Sequence, residues 1–256
     1  MAIRIGTCGW QYDDWRDAFY PRDLPKTSWL GAYAQTFDTV ECDNAFYRLP
    51  ARETFEKWAA ALPDGFTMAV KASRFLTHVK RLKDPEEPVR RLVEHCTGLG
   101  NRLGPILLQL PPNLKVDVER LDATLACFPA SVRVAVEPRH ETWWTDDVRA
   151  VLEKRLAPLV WADRLGKPIT PLWRTADWAY VRLHEGRAQP WPNYGDAALR
   201  TWLNRIAGSW TPSDDIFVYF NNDPGAAAIR NAKTLIRMAD NLARQRLTQG
   251  LLEVGE

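Results

Sequence analysis

Cysteine is scarce in this sequence, and the four present, Cys8, Cys42, Cys96 and Cys127, form no CxxC pair. Cys8 and Cys42 fall near strand ends, where a nucleophilic thiol would have a place, but a small buried apolar side chain is the commoner role. Long apolar runs are missing as well. No stretch approaches the roughly 18 residues of a membrane span, and the opening MAIRIGTCGW lacks the apolar core of a secretion signal. The expectation is a reduced, cytoplasmic protein with no membrane partner. Charge of one sign is not in excess. A formal net charge of +2 creates no overall field for nucleic acid or an anionic membrane. The local run of Lys80, Arg81 and Lys83 reads as a solvated face. No GxGxxG follows an apolar run, which weakens an open doubly wound sheet that binds dinucleotides. No HExxH or HxH spacing marks a metal centre.

What the chain does have is tryptophan, 12 in all. The indole N–H needs a partner when buried, so some of these rings should line a surface or cleft. Short β-rich runs fall at residues 3–8, 37–42, 66–71, 106–110, 132–137, 159–163, 178–184 and 216–221. Helical patterns fill most of the gaps, at 28–35, 51–61, 85–98, 116–127, 146–155, 196–208 and 224–247. The gap DRLGKPITPLWRTA, with two prolines and a glycine, reads as loop. Strands alternating with helices imply parallel βαβ units, and eight of them in about 250 residues predict a single α/β domain, a (β/α)8 TIM-type barrel. Its core would run over about residues 3–247, with a frayed tail beyond. Asp223 and Pro224 suit the cap and first turn of the last helix.

Side chains along a strand alternate between faces. In the fifth strand Val132, Val134 and Val136 share one face, and Arg133, Ala135 and Glu137 share the other. The larger apolar set should meet the helices and the other should point inward. Applied to the strands in turn, this rule sends a polar end from seven of the eight into one mouth, Glu41, Lys71, Gln109, Glu137, Asp163, Arg182 with His184, and Asn221, while the first ends in Gly9 and Trp10 and leaves room for a ligand. Barrel enzymes keep their chemistry at that end. By strand neighbourhood, Glu41 would pair with Lys71 and Asp163 with Arg182. Glu137, raised by a neighbouring carboxylate and lowered by Arg139, is the first candidate for a general acid or base. Lys71 is the second, as proton donor or oxyanion clamp, and Asp163 and Glu41 complete the catalytic set.

Glu41, Glu137, Asp163 and His184 are also suitable ligand types for a divalent metal. Lys71, Arg139 and Arg182 crowd the same mouth and would repel a cation, so no cofactor is predicted. His95 reads as a helix-surface residue, whereas His78 and His140 follow strands. Asn221, Asn222, Asp223, Pro224 and Gly225 lead into a helix N-terminus, a setting that favours a phosphate or carboxylate, with Asp223 opposing it. Trp10, Tyr12, Tyr47, Trp143, Trp144 and Trp191 fall in strand-to-helix loops and could stack on a sugar or base. Asn44, His78, Gln109, Arg139, Arg182, His184, Asn221 and Asn222 join Trp10, Tyr12, Tyr47 and Trp144 as candidate substrate contacts.

With these residues placed, the chain resembles the YecE-like family of unknown function from about residue 3 to residue 245. The resemblance rests on GTCGWQYDDWRDAFYP from Gly6, VECDNAFYRLP from Val40, KASRFLTH from Lys71, LLQLPP from Leu107, VEPRHETWW from Val136, YVRLHEG from Tyr180 and VYFNND from Val218. It implies a TIM-type barrel and no established reaction. The chain departs from the family pattern at Cys8, where a small hydroxyl residue or glycine is expected, and at Pro138, where an aromatic is commoner.

The functional expectation is acid–base chemistry, by a hydrolase or isomerase, on a polar small substrate, neutral or anionic, such as a glycoside, nucleotide or phosphorylated sugar. A two-carboxylate glycosidase is weakened, because Gln109, Arg182 and His184 stand where paired acids would be needed. The alternatives are a metal-dependent phosphodiesterase or nuclease-like barrel, and a non-catalytic binder of a metabolite or nucleic acid. Nucleic acid is not the favoured partner.

Overall fold

The structure of the protein, a computed structural model, describes residues 2–211 and 213–253. The strands are β1 (Ala2–Thr7), β2 (Thr39–Cys42), β3 (Thr67–Lys71), β4 (Leu103–Gln109), β5 (Val134–Glu137), β6 (Trp161–Arg164), β7 (Lys167–Pro168), β8 (Trp178–Leu183) and β9 (Asp215–Phe220). Between them run α1 (Trp29–Tyr33), α2 (Asn44–Tyr47), α3 (Arg52–Ala60), α4 (Glu86–Cys96), α5 (Val118–Ala126), α6 (Asp146–Lys154), α7 (Asp196–Ser209) and α8 (Ala227–Glu253). Each predicted strand and helix has its counterpart, displaced by a few residues at most ends. The loop-like gap after β6 holds the two-residue β7, which pairs antiparallel with β6, and α2 is a short turn of helix that the sequence pattern does not reveal.

The fold is mixed α/β with parallel sheets. One sheet has the order β1-β9-β8-β6-β7 and the other β2-β3-β4-β5. Single parallel bridges, Cys8 to Glu41 and Val136 to Leu159, link the two sheets at their edges. The first of these seams demands a glycine: a Cβ on Gly6 would fall 2.2 Å from the Thr39 carbonyl oxygen. Only a residue without a Cβ lets the two backbones come this close.

Alternation sorts the core into two layers, as the strand pattern predicts. Val70, Ile106, Val134, Val136, Val181 and Val218 join the helices in the larger apolar cluster. A second cluster collects the opposite face: Cys8, Ala69, Leu107, Ala135 and Ala162 leave room for Tyr180, Phe217 and Tyr219. Small residues on one set of strands thus accept aromatic rings from another. Most of the tryptophans are structural. Trp143, Trp29, Trp161 and Trp178 donate their N–H groups to the carbonyls of Leu114, Leu24, Trp173 and Leu156. Helix starts are capped where hydroxyl or carboxylate side chains stand ready, Asp117 accepting from Arg120 N and Thr145 from Val148 N.

The last helix departs from expectation at both ends. The Asp223 side chain does not cap it; a short turn over Pro224–Ala226 precedes α8, and Gly225 takes a φ of 61°. At the far end α8 continues as helix to Glu253, past the fraying expected after residue 247, and residues 254–256 lie outside the described residues. No helix among the described residues is long and apolar enough to cross a membrane.

Candidate active site at the strand C-termini

Register decides which of the polar strand ends meet. On β2 and β3, Glu41 lies level with Ala69 and Cys42 with Val70. One step further on, Asp43 comes beside Lys71, and the two are 3.5 Å apart. The predicted Glu41–Lys71 pair is therefore displaced by Asp43–Lys71. On β6 and β8, Ala162 lies level with Arg182. Asp163 thus misses Arg182, and the pair predicted there does not form. Arg182 instead points into the space between the sheets, fully buried, and bridges two carboxylates. Its Nη2 lies 2.7 Å from Glu41 Oε1 and its Nη1 2.8 Å from Glu137 Oε2.

Glu137 is saturated. Oε2 also accepts from Gln109 Nε2 at 2.7 Å, and Oε1 accepts from Arg139 Nη2 at 3.1 Å and faces His184 Nε2 at 3.0 Å. Burial by itself would raise this carboxyl, but the Arg182 charge, the His184 hydrogen bond and the Arg139 charge together hold it well below the ordinary range. A carboxyl held low in this way favours its ionised form, which suits anchoring its neighbours better than the release of a proton expected of Glu137. Glu41 behaves in the same way. Burial pushes it up, Arg182, Lys71 and the Tyr180 hydroxyl push it down, and the net shift is downward. Tyr180 donates to Glu41 Oε2 at 2.5 Å.

Burial lowers the His184 pKa despite Glu137. In the neutral ring, Nε2 carries the hydrogen toward Glu137 and Nδ1 accepts from the Asn221 amide at 3.0 Å.

Three aspartates take the opposite course. Asp43, one residue past β2, is pushed by burial and the Glu41 charge up to about 6, with Lys71 and Arg182 opposing. Asp223 is pushed by burial up to about 8, with the neighbouring Tyr12 hydroxyl opposing. Asp163 is pushed by burial up to about 7, although its Oδ1 accepts from the Tyr194 hydroxyl at 2.6 Å and from His184 N at 2.8 Å. Each of the three keeps one buried oxygen with no hydrogen-bond partner: Asp43 Oδ1, Asp223 Oδ1 and Asp163 Oδ2.

Two cavities open over this layer. The first, about 390 Å³, is walled by Gly9, Trp10, Gln11 and Tyr12 from the end of β1, by Asp43, Asn44 and Tyr47 after β2, and by Lys71, Gln109, Arg139, Asn221 and Asp223. The second, about 590 Å³, includes Glu137, Pro138, Arg139, Glu141 and Trp144 after β5, Asp163, and His184. Arg139 belongs to both walls.

Most predicted contacts converge here, with exceptions. Trp143 is buried and Trp10 is 2% exposed, packed edge-on against Trp58, so neither offers a face for stacking. Tyr12 is tied by its hydroxyl to the Cys8 carbonyl. Asn222 is buried and donates to Pro192 O and Asn231 Oδ1, a structural role away from both cavities. His78 borders neither cavity; its ring meets the edge of Phe46 and bonds Thr77 Oγ1 at 2.9 Å. His95 bonds the Pro50 carbonyl at 2.7 Å. Amides expected to bind an anion before α8 already have partners: Gly225 N donates to Asp14, Ala226 N to Asp223 O and Ala228 N to Asn222 O.

Sequence reasoning missed Asp43, and it read Asp223 only as a helix cap and a charge opposing an anion. Both follow a chosen site residue by two positions, Glu41 and Asn221, so the alternation that selected those residues also pointed to these, just beyond the ends of β2 and β9.

Glu41, Glu137, Asp163 and His184, the residues of suitable ligand type, do not gather around one point, because the Arg182 guanidinium lies between Glu41 and Glu137. A different trio does cluster: ligand atoms of Cys8, Glu41 and Asp43 lie within 4.8 Å of one another. Arg182 Nη2 already lies 3.4 Å from Cys8 Sγ, 2.7 Å from Glu41 and 3.8 Å from Asp43. Burial raises the Cys8 thiol well above its ordinary value. The Arg182 guanidinium already serves these three groups as their cation and would compete with a divalent ion for the place.

Comparison with known proteins agrees with the strand and loop motifs. The family described as "Protein of unknown function DUF72" matches residues 4–252. The UPF0759 protein YunF of Bacillus subtilis is 25% identical over 270 residues, covering 93% of this chain and 95% of YunF. The UPF0759 protein YecE of Escherichia coli is 28% identical over 139 residues, 54% of this chain and 48% of YecE. A crystal structure of a DUF72 family protein from Thermotoga maritima superposes with a TM-score of 0.81 at 26% identity, covering 94% of this chain and all of that one.

Proposed function

This chain belongs to the DUF72 family, and we propose that its strands close into one (β/α)8 barrel domain whose mouth performs acid–base chemistry, of the hydrolase or isomerase class, on a polar small molecule. The bridges from Cys8 to Glu41 and from Val136 to Leu159 support closure. The chemistry is carried by one observation. Asp43 borders the cavity of about 390 Å³, its buried Oδ1 has no hydrogen-bond partner, and Lys71 Nζ stands 3.5 Å away.

A carboxyl that titrates near neutral pH both accepts and returns a proton readily. Asp43 is the proton carrier. Lys71, with its ammonium 4.4 Å from the Phe46 ring centroid, clamps the negative charge that develops on substrate oxygen. Glu41 and Glu137 act through Arg182 as positioning residues, holding a fixed positive charge beneath Asp43.

The test is a thermal-shift screen of sugars, sugar phosphates and nucleotides, followed by product analysis of each hit with wild type and Asp43→Asn. The expected result is a hit that the wild type converts and Asp43→Asn binds but does not convert. Conversion unchanged in Asp43→Asn, or no stabilising compound at all, would remove Asp43 from this role.

A further inference from the structure

We infer that the mouth takes a sugar phosphate, its phosphate in the Lys71 cavity and its ring in the Trp144 cavity, and that a proton enters together with it. The inference rests on reading the mouth as a small-molecule site and names the substrate class.

Arg139 is the residue on which the two cavities meet. Its side chain is 35% exposed, and Nη2 is held by Glu137 Oε1 at 3.1 Å. The guanidinium therefore sits at a fixed point between the cavities with other N–H groups left to donate. Lys71 adds a second cation in the first cavity. The Asn44, Gln109 and Asn221 amides each use Nδ2 or Nε2 within the protein, toward Gln11, Glu137 and His184. An amide nitrogen carries two hydrogens, so each has one more to give. Two cations and three amides exceed what the two oxygens of a carboxylate can use; they suit the three terminal oxygens of a phosphate monoester.

The carboxyls of Asp43 and Asp223 border the same cavity and, when ionised, oppose an anion. Asp43 is faced by Glu41 from β2, Lys71 from β3, Arg182 from β8 and the Cys8 thiol at the end of β1. Asp223 is faced by Tyr12 and feels the charges of Asp43, Arg182 and Glu41. Each holds one buried oxygen with no hydrogen bond, that of Asp43 lying 3.5 Å from Lys71 and 3.8 Å from Arg182. A protonated carboxyl in this wall is compatible with phosphate beside it; an ionised one repels it. An arriving dianion therefore raises proton affinity at both residues, and binding draws in a proton by linkage.

The second cavity specifies the ring. Trp144 gives an aromatic wall beside Pro138 and Ile169, and Glu141 and Glu185 bring carboxylates. An aromatic face meets the C–H side of a sugar, and carboxylates accept from its hydroxyls.

Isothermal titration calorimetry of the full chain at neutral pH, in two buffers of different ionisation heat, tests the inference. The probes are glucose 6-phosphate, fructose 6-phosphate and ribose 5-phosphate, each beside its parent sugar and beside inorganic phosphate. At least one sugar phosphate should bind roughly tenfold or more tightly than its parent and than inorganic phosphate, with net proton uptake. Lys71→Met should reduce the preference over the parent to about twofold, and Trp144→Ala should weaken sugar phosphate and parent by similar factors. Asp43→Asn should lower the proton uptake. Sugar phosphates that bind no better than their parents, inorganic phosphate that binds as well, or binding without proton uptake would each overturn the inference. The wild-type comparison decides the matter even if a variant fails to fold. Should Asp43→Asn convert a bound sugar phosphate as the wild type does, the acid–base reading fails and this inference stands. Should Asp43 prove essential for converting a neutral substrate with no phosphate preference, the reverse holds.

Discussion

Arg182 and Glu137 meet at 2.8 Å with both side chains out of solvent, and the same guanidinium holds Glu41 at 2.7 Å. One cation thereby ties β8 to β5 in one direction and to β2 in the other. Taking three charges out of water is costly, and the arrangement holds because their attraction and hydrogen bonds offset that cost only while all three are present.

Arg182→Met is therefore expected to destabilise the fold by about 3–5 kcal/mol, since it strands two buried carboxylates. Urea unfolding followed by far-UV circular dichroism measures this. A loss below about 1 kcal/mol would mean that the carboxylates find other partners or solvent.

Acid should unfold the protein in part through Glu137. Its pKa in the folded state is depressed, so its contribution is present above the ordinary glutamate value of about 4.3 and is lost as pH falls below it. Glu137→Gln should lower stability at neutral pH and flatten the decline of stability in acid. Unfolding curves at several pH values, wild type against variant, report the slope; equal slopes would contradict a strongly depressed Glu137.

Asp163 has the opposite sign. Its pKa is raised to about 7, so ionising it costs stability progressively as pH climbs from the unfolded value near 4 toward 7. Asp163→Asn, which keeps an oxygen for Tyr194 and His184 N, should become more favourable relative to wild type by roughly 2–4 kcal/mol between acid and mildly alkaline pH. Melting temperatures across that range would show it. A difference independent of pH would place the carboxyl in a far less desolvating environment.

Gly6→Ala should cost about 1–3 kcal/mol or more, because its Cβ cannot fit against Thr39 without parting β1 from β2. Hydrogen exchange should then rise at the Gly9 amide, which donates to the Glu41 carbonyl at 2.8 Å. Unchanged protection at Gly9 would mean that the seam yields elsewhere.

Periodicity alone was enough for the alternation of strands and helices and for the sorting of each strand into an outer and an inner face. Val136 and Glu137 are neighbours in the chain, and their opposite fates, apolar layer and polar mouth, follow from a period of two that no tertiary contact can change. The motifs around Gly6, Val40 and Val136 likewise pointed to the right family. Partnership was not legible in this way. Whether Lys71 meets Glu41 or Asp43, and whether Arg182 meets Asp163 or Glu137, depends on strand register and on how far a long side chain reaches between the sheets. Those are properties of residues far apart in sequence. Proton affinities depend on partnership in turn: Glu137 and Asp163 are both buried acids at strand ends, and only the donors and charges gathered around each by the tertiary structure push one down and the other up to about 7.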